Sequence, residues 1–249
     1  SRGLGDVYKR QHLCFSASLD GAVRVWDWQA GECRRVLRLP RADEAATAVA
    51  ASGAVGVVLS GSDAGGVFAW ASLGGAADSQ PCGASREAAV TAIAFSGAES
   101  TLAAVGYADG TLALVDAQAR AVLATVTDAH GADVQALDWH RGLLATSARD
   151  RRVRVWKVDI AEEAYASRQN VTKPPQHNKR VTLVSDLELS STKGRQSVQK
   201  SRTWVPLCWL PEGDAASATL LTVDPATGEL LVWRDLPCDG SRQKGTPLR

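Results

Sequence analysis

Alternating apolar and small or polar positions recur along this chain in runs of strand length, and turns of the Asp-Gly type punctuate them. Five segments superimpose on one pattern, in which a turn with Asp or Gly is followed by alternating apolar residues and closed by an aromatic or apolar residue. They are DGAVRVWDW from Asp20, AGGVFAWAS from Ala64, DGTLALVDA from Asp109, DRRVRVWKV from Asp150 and TGELLVWRD from Thr227. Their closing residues, Trp26, Trp70, Val115, Trp156 and Trp233, stand 44, 45, 41 and 77 residues apart, the last interval being one repeat plus an insertion of about 35 residues.

Each unit repeats the same strand signals in the same order. A small-residue run precedes the turn (LCFSASLD, VVLSGSDA, LAAVGYAD, LLATSARD) and reads as the strand third from the outside of a four-stranded sheet. Ahead of it lies an inner alternating run (TAVAAS, VTAIAFSG, VQALDWH, WVPLCWLP), and ECRRVLRL and RAVLATVT supply outermost strands. A four-strand unit with a period of about 40 to 45 residues is the sequence signature of a propeller blade.

Spacing, strand order and turn residues together resemble the WD-repeat (WD40) family, and the resemblance covers nearly the whole chain apart from its ends and the insertion. It implies an all-β, WD40-type β-propeller over residues 12–237, incomplete, with about five four-stranded blades where the family usually has seven. The first blade would be entered midway and the last would lack its outer strand. In that family a His before the first strand, a Ser or Thr in the second, an Asp in the turn and a Trp in the third share hydrogen bonds. The fourth unit carries all four, as His130, Thr146, Asp150 and Trp156. The first carries Ser16, Asp20 and Trp26, the second Ser60 and Trp70 with Ala64 at the Asp position, the third Asp109 but Val115, and the fifth Trp233 alone. Buried polar groups of this kind must satisfy one another.

Composition narrows the function. Lys plus Arg number 28 against 27 Asp plus Glu, so no global field steers polyanions, and 45% hydrophobic residues suffice for a large core. Five cysteines, Cys14, Cys33, Cys82, Cys208 and Cys238, are far apart and odd in number, as expected of reduced thiols in a cytoplasmic or nuclear protein. No run approaches the length of a membrane span. The chain contains no Met, and residues 1–11 (SRGLGDVYKRQ) read as a non-native leader; residues 238–249 read as a polar tail.

Enzyme chemistry finds no support. His130, Thr146 and Asp150 could suggest a catalytic triad, but the same spacing recurs in units without the His, and Thr146 is expected to be buried. The four His and five Cys lack metal-ligand spacing, and no phosphate-cradling glycine loop is present, so neither a cofactor nor a small-molecule substrate is expected. Trp139 and Trp209 fall at the ends of inner strands and are expected in the core.

The departure from repetition is the insertion at residues 159–202. It opens acidic with Asp159, Glu162 and Glu163 and turns basic: residues 164–202 hold Arg168, Lys173, Lys179, Arg180, Lys193, Arg195, Lys200 and Arg202 against Asp186 and Glu188. VTLVSDLELS from Val181 is expected to form an outer strand, splitting the insertion into two loops. Such loops are either solvated linkers or the site where an acidic partner docks, with Arg180, Lys193, Arg195, Lys200 and Arg202 as the contacts. The expected partners are other proteins or peptides, bound by a non-catalytic scaffold, with RNA the alternative ligand of the basic insertion.

Overall fold

A computed structural model describes residues 12–53, 56–71, 80–98, 100–159, 180–189, 205–210, 217–224 and 228–237. Every regular element among them is a β-strand. The strands group into two compact units, residues 1–137 and 138–249.

In the first unit, β1 (Leu13–Ala17), β2 (Ala22–Asp27) and β3 (Glu32–Arg38) form a three-stranded sheet. A second sheet holds β4 (Ala46–Ser52), β5 (Val57–Ser62), β6 (Val67–Ala71) and the two-residue β7 (Gln80–Pro81). A third holds β8 (Val90–Phe95), β9 (Leu102–Tyr107), β10 (Leu112–Asp116) and β11 (Ala121–Val126). The division between the units falls inside β12 (Val134–His140), the edge strand of a sheet continued by β13 (Leu143–Ala148), β14 (Arg152–Asp159) and β15 (Arg180–Glu188). The last sheet is β16 (Leu207–Leu210), β17 (Ser217–Val223) and β18 (Leu230–Pro237). In every sheet, strands consecutive in sequence are neighbours, which is the order expected from the sequence, and β15 is the outer strand predicted inside the insertion.

Alternation explains which residues turn inward. In β2, Val23 and Val25 are wholly buried while Arg24 between them reaches the surface, the period-2 pattern of a pleated strand. Val23 and Val25 pack with Leu37, Val58 and Trp70, whereas Leu59, Val90, Val105 and Val115 form the core between the second and third sheets. A separate core in the second unit gathers Leu143, Val155, Leu187, Trp209, Leu220 and Trp233. The expectation that Trp209 is core therefore holds, while Trp139 is only half-buried.

One irregularity recurs. At the closing residue of three units the outer strand holds an extra residue: Val25 faces Arg35 but Trp26 faces Cys33, Leu114 faces Ala124 but Val115 faces Val122, and Val155 faces Ser185 but Trp156 faces Leu183. A bulge at this point sharpens the twist of the outer strand and turns a charged or apolar residue without breaking the sheet.

Candidate functional site

The chemistry-bearing residues collect at one end of each sheet, around the turn that leads into the strand of the closing residue. Just inside this turn, an indole N–H meets a hydroxyl from the preceding strand. Trp26 Nε1 donates to Ser16 Oγ at 2.9 Å, Trp70 to Ser60 at 2.8 Å and Trp156 to Thr146 Oγ1 at 2.9 Å. All three pairs are ten residues apart and share one register, since Trp26, Trp70 and Trp156 face Cys14, Val58 and Leu144, two residues before each hydroxyl. The second and third pairs are fully buried, the first half-buried. Thr146, with no exposure at all, cannot present a nucleophile to solvent.

The turn aspartates are bonded to their own turns. Asp20, Asp109 and Asp150 each accept the backbone N–H two residues on, from Ala22 (3.1 Å), Thr111 (2.9 Å) and Arg152 (3.0 Å), which closes the turn. Asp20 has a 45% exposed side chain and is salt-bridged to Arg24, so its carboxylate lies in water. The guanidinium of Arg24 holds the Asp20 carboxyl well below the usual range, with help from Ser18 and the Ala22 N–H. His130 is 4% exposed, and its backbone N–H donates to the Gly110 carbonyl at 2.9 Å.

Three residues were missed in the sequence. Arg86 stands four positions ahead of β8, as His130 stands four ahead of β12. Its Nη2 and Nε reach Asp109 Oδ2 at 2.9 and 3.2 Å, and its guanidinium lies 5.8 Å from the Tyr107 ring. Partial burial of Asp109 opposes ionisation, but the Thr111 N–H and Arg86 outweigh it and lower its pKa. Asp63 compensates for Ala64: one residue earlier, its Oδ1 accepts the Ala45 N–H at 2.9 Å. In the fifth unit Trp233 is not alone, because it faces Leu220 and Thr222 lies two residues on, in the register of Ser16. There the hydroxyl donates instead to the Pro206 carbonyl at 2.6 Å, and the buried Trp233 Nε1 has no acceptor among the described residues. A turn one residue longer hid Thr222 from a fixed ten-residue spacing.

The seams between sheets are also graded. Gly61 and Gly106 leave the room that Val90 and Val134 of the following sheet fill, since an added Cβ would lie 2.3 and 2.6 Å from those side chains. At the equivalent position in β13 stands Ser147, whose Oγ donates to the Val205 carbonyl at 2.6 Å. Asp138 Oδ2 accepts the Trp209 N–H at 2.8 Å, the Trp209 indole donates to the Asp138 carbonyl at 3.2 Å, and His140 stacks on Trp209. This seam is polar where the earlier ones are apolar.

Of the predicted partner contacts, Arg180 opens β15 opposite Asp159, while Lys193, Arg195, Lys200 and Arg202 lie outside the described residues. Among the described residues, no cluster of His, Cys, Asp and Glu could hold a metal, and no helix is long and apolar enough to cross a membrane. Cys14, Cys33, Cys82 and Cys208 are free thiols, and burial pushes the Cys82 thiol up to about 11.

Repeated antiparallel sheets of three or four strands, three of them pinned by an indole–hydroxyl pair, are those of an incomplete β-propeller. The family WD40, "WD domain, G-beta repeat", matches residues 121–157. Component of gems protein 5 from Dictyostelium discoideum is 26% identical over 205 residues, covering 71% of this chain and 15% of that protein. The crystal structure of the computationally designed Ika8 protein superimposes with a TM-score of 0.58 at 22% identity, over 96% of this chain and 58% of that one. The designed Ika4 protein gives a TM-score of 0.48 at 27% identity, over 59% of this chain and 86% of that one. Residues 121–157 thus match a WD repeat, and the chain is similar to WD-repeat proteins. It spans a small part of the length of the curated relative it matches.

Proposed function

We propose that this chain is a non-catalytic scaffold that holds other proteins within a multiprotein complex. One observation carries the reading: the hydroxyls and indoles that chemistry would need are engaged with one another inside the sheets, as in Ser60–Trp70 and Thr146–Trp156, while the variation among units falls on exposed turns. Rigid frameworks with varied loops are built for recognition. The name of the Dictyostelium relative, a component of gems, supports membership in a larger assembly. The proposed partners are proteins or peptides, with neither a membrane nor a small-molecule substrate involved, and the proposed location is the cytoplasm or nucleus.

The cation excess of residues 164–202 favours a second reading, RNA binding through Arg180, Lys193, Arg195, Lys200 and Arg202. Affinity capture with the full chain, with and without nuclease, separates the two. Identified proteins retained after nuclease support the scaffold. Partners lost with nuclease, and lost again when Lys193, Arg195, Lys200 and Arg202 are changed to Glu, move the reading to RNA.

A further inference from the structure

We propose that the chain associates head to tail with further copies of itself: the face of the first sheet that carries Cys14 and Trp26 receives, from a second copy, the face of the last sheet that carries Leu230 and Val232. The inference is independent of the scaffold reading.

The seams inside each unit show what such a contact is made of. The closing residue and the residue it faces on the preceding strand lie on one side of each sheet, its front: Trp70 faces Val58, Val115 faces Ala103 and Trp233 faces Leu220. Strand alternation turns the residues one and three before the closing position the other way, where they form the back. In three seams a front meets a back. Val58 and Trp70 cluster with Val23 and Val25, Ala103 and Val115 with Val67 and Ala69, and Leu220 and Trp233 with Val153 and Val155. None of these residues is more than 6% exposed.

The same positions stand uncovered in two places. On the front of the first sheet Cys14, which faces Trp26, is exposed, and Trp26 and its partner Ser16 are only half-buried. On the back of the last sheet Leu230 is 54% exposed and Val232 is half-buried. Cys208, in line with Leu221 and Val232 across that sheet, is exposed as well. An indole with a small apolar neighbour therefore waits on one face and two aliphatic residues on the other. The seam between the first and second sheets has that composition, with Trp70 and Val58 against Val23 and Val25.

The difference between the two faces selects the arrangement. Front on front would set Trp26 against Trp26, and back on back would set Leu230 against Leu230, pairings that none of the three seams uses. Front on back repeats a contact that the chain already makes within itself. Charge does not oppose it, because Arg24, which shares the front with Trp26, is salt-bridged to Asp20 of its own turn. Each copy keeps its second face after joining through the first, so the contact is heterologous and association continues past two copies.

The test uses the full chain in sedimentation velocity over a wide range of concentration. The mass is expected to climb beyond that of a dimer, and the Cys14 thiol to lose its reactivity toward iodoacetamide as it does. Cys14→Glu blocks the front and Leu230→Glu the back; both positions are exposed, so the fold should hold, and circular dichroism checks it. Each variant alone should stay monomeric, because every contact needs one intact front and one intact back. Mixed, the two should form a heterodimer and nothing larger, through the back of the first variant and the front of the second. Cys14→Lys with Leu230→Lys repeats the pair with the opposite charge and should behave in the same way. A wild-type chain that stays monomeric overturns the proposal. So does association of either variant alone, which marks a front-to-front, back-to-back or unrelated contact, and so does a mixture that yields no heterodimer. Protein partners retained after nuclease by the monomeric variants leave the scaffold reading standing whichever way the mixture turns out.

Discussion

Gly110 and His130 meet backbone to backbone: the His130 N–H donates to the Gly110 carbonyl at 2.9 Å, and the His130 carbonyl sits 2.1 Å from where a Cβ on Gly110 would stand. The pattern repeats one sheet earlier, where the Arg86 N–H donates to the Gly65 carbonyl and the Arg86 carbonyl crowds the same space. The turn of one sheet is thus clamped by the segment that leads into the next, whichever side chain the second residue carries.

Two glycines with the same backbone sign should therefore respond very differently to alanine. Gly110→Ala meets both the left-handed strain and a backbone atom that cannot move aside, and is expected to destabilise the chain by about 3 kcal/mol or more. Gly31, at φ 69° with nothing within 4 Å of an added Cβ, meets only the strain, about 1 to 2 kcal/mol. Urea denaturation of the two variants checks the ranking, and equal losses would show that the clamp contributes nothing.

Removing the hydroxyl from an indole–hydroxyl pair should hurt in proportion to burial. Ser60→Ala leaves the buried Trp70 N–H without its acceptor, at a cost of about 1 to 3 kcal/mol. Ser16→Ala is expected to cost less than about 1 kcal/mol, because the half-buried Trp26 N–H can turn to water. Equilibrium unfolding of both variants reads the difference, and a larger loss in Ser16→Ala would refute the burial argument.

Acid should weaken the chain through its turns. Asp27 is held below the usual carboxylate range by the Ala30 N–H and Arg34, Asp20 by Arg24, and Asp109, despite desolvation, by Thr111 and Arg86. For a depressed carboxyl pKa the unfolded chain binds the proton more readily, so the stabilisation is full above the unfolded value near about 4 and drains away as pH falls below it. The melting temperature is expected to be insensitive to these groups between neutral pH and about 5, and to fall more steeply below about 4. Asp109→Asn should flatten that acid limb; an unchanged slope would remove Asp109 from the account.

Much of the framework was legible because its signals are local. The runs around Trp26, Trp70, Val115, Trp156 and Trp233 place β2, β6, β10, β14 and β18, and the strand inside the insertion, β15, was visible as an alternating run between polar stretches. The site was legible only in part. Thr146 and Trp156 were matched by spacing, but Arg86 was invisible, because an arginine at a histidine's position carries no motif. Nothing in DRRVRVW says that the backbone of Arg151 is left-handed.

By itself the sequence determined the repeat, the strand order and the turns, because alternation and turn chemistry act within a few residues of where they are written. Only the tertiary structure decided that Asp20 faces water rather than Ser16, that Thr222 bonds Pro206 instead of Trp233, and that Gly110 is pinned while Gly31 is not. Those outcomes depend on which distant backbone arrives at each polar group, and packing against a neighbouring strand sets that, not the order of residues along one.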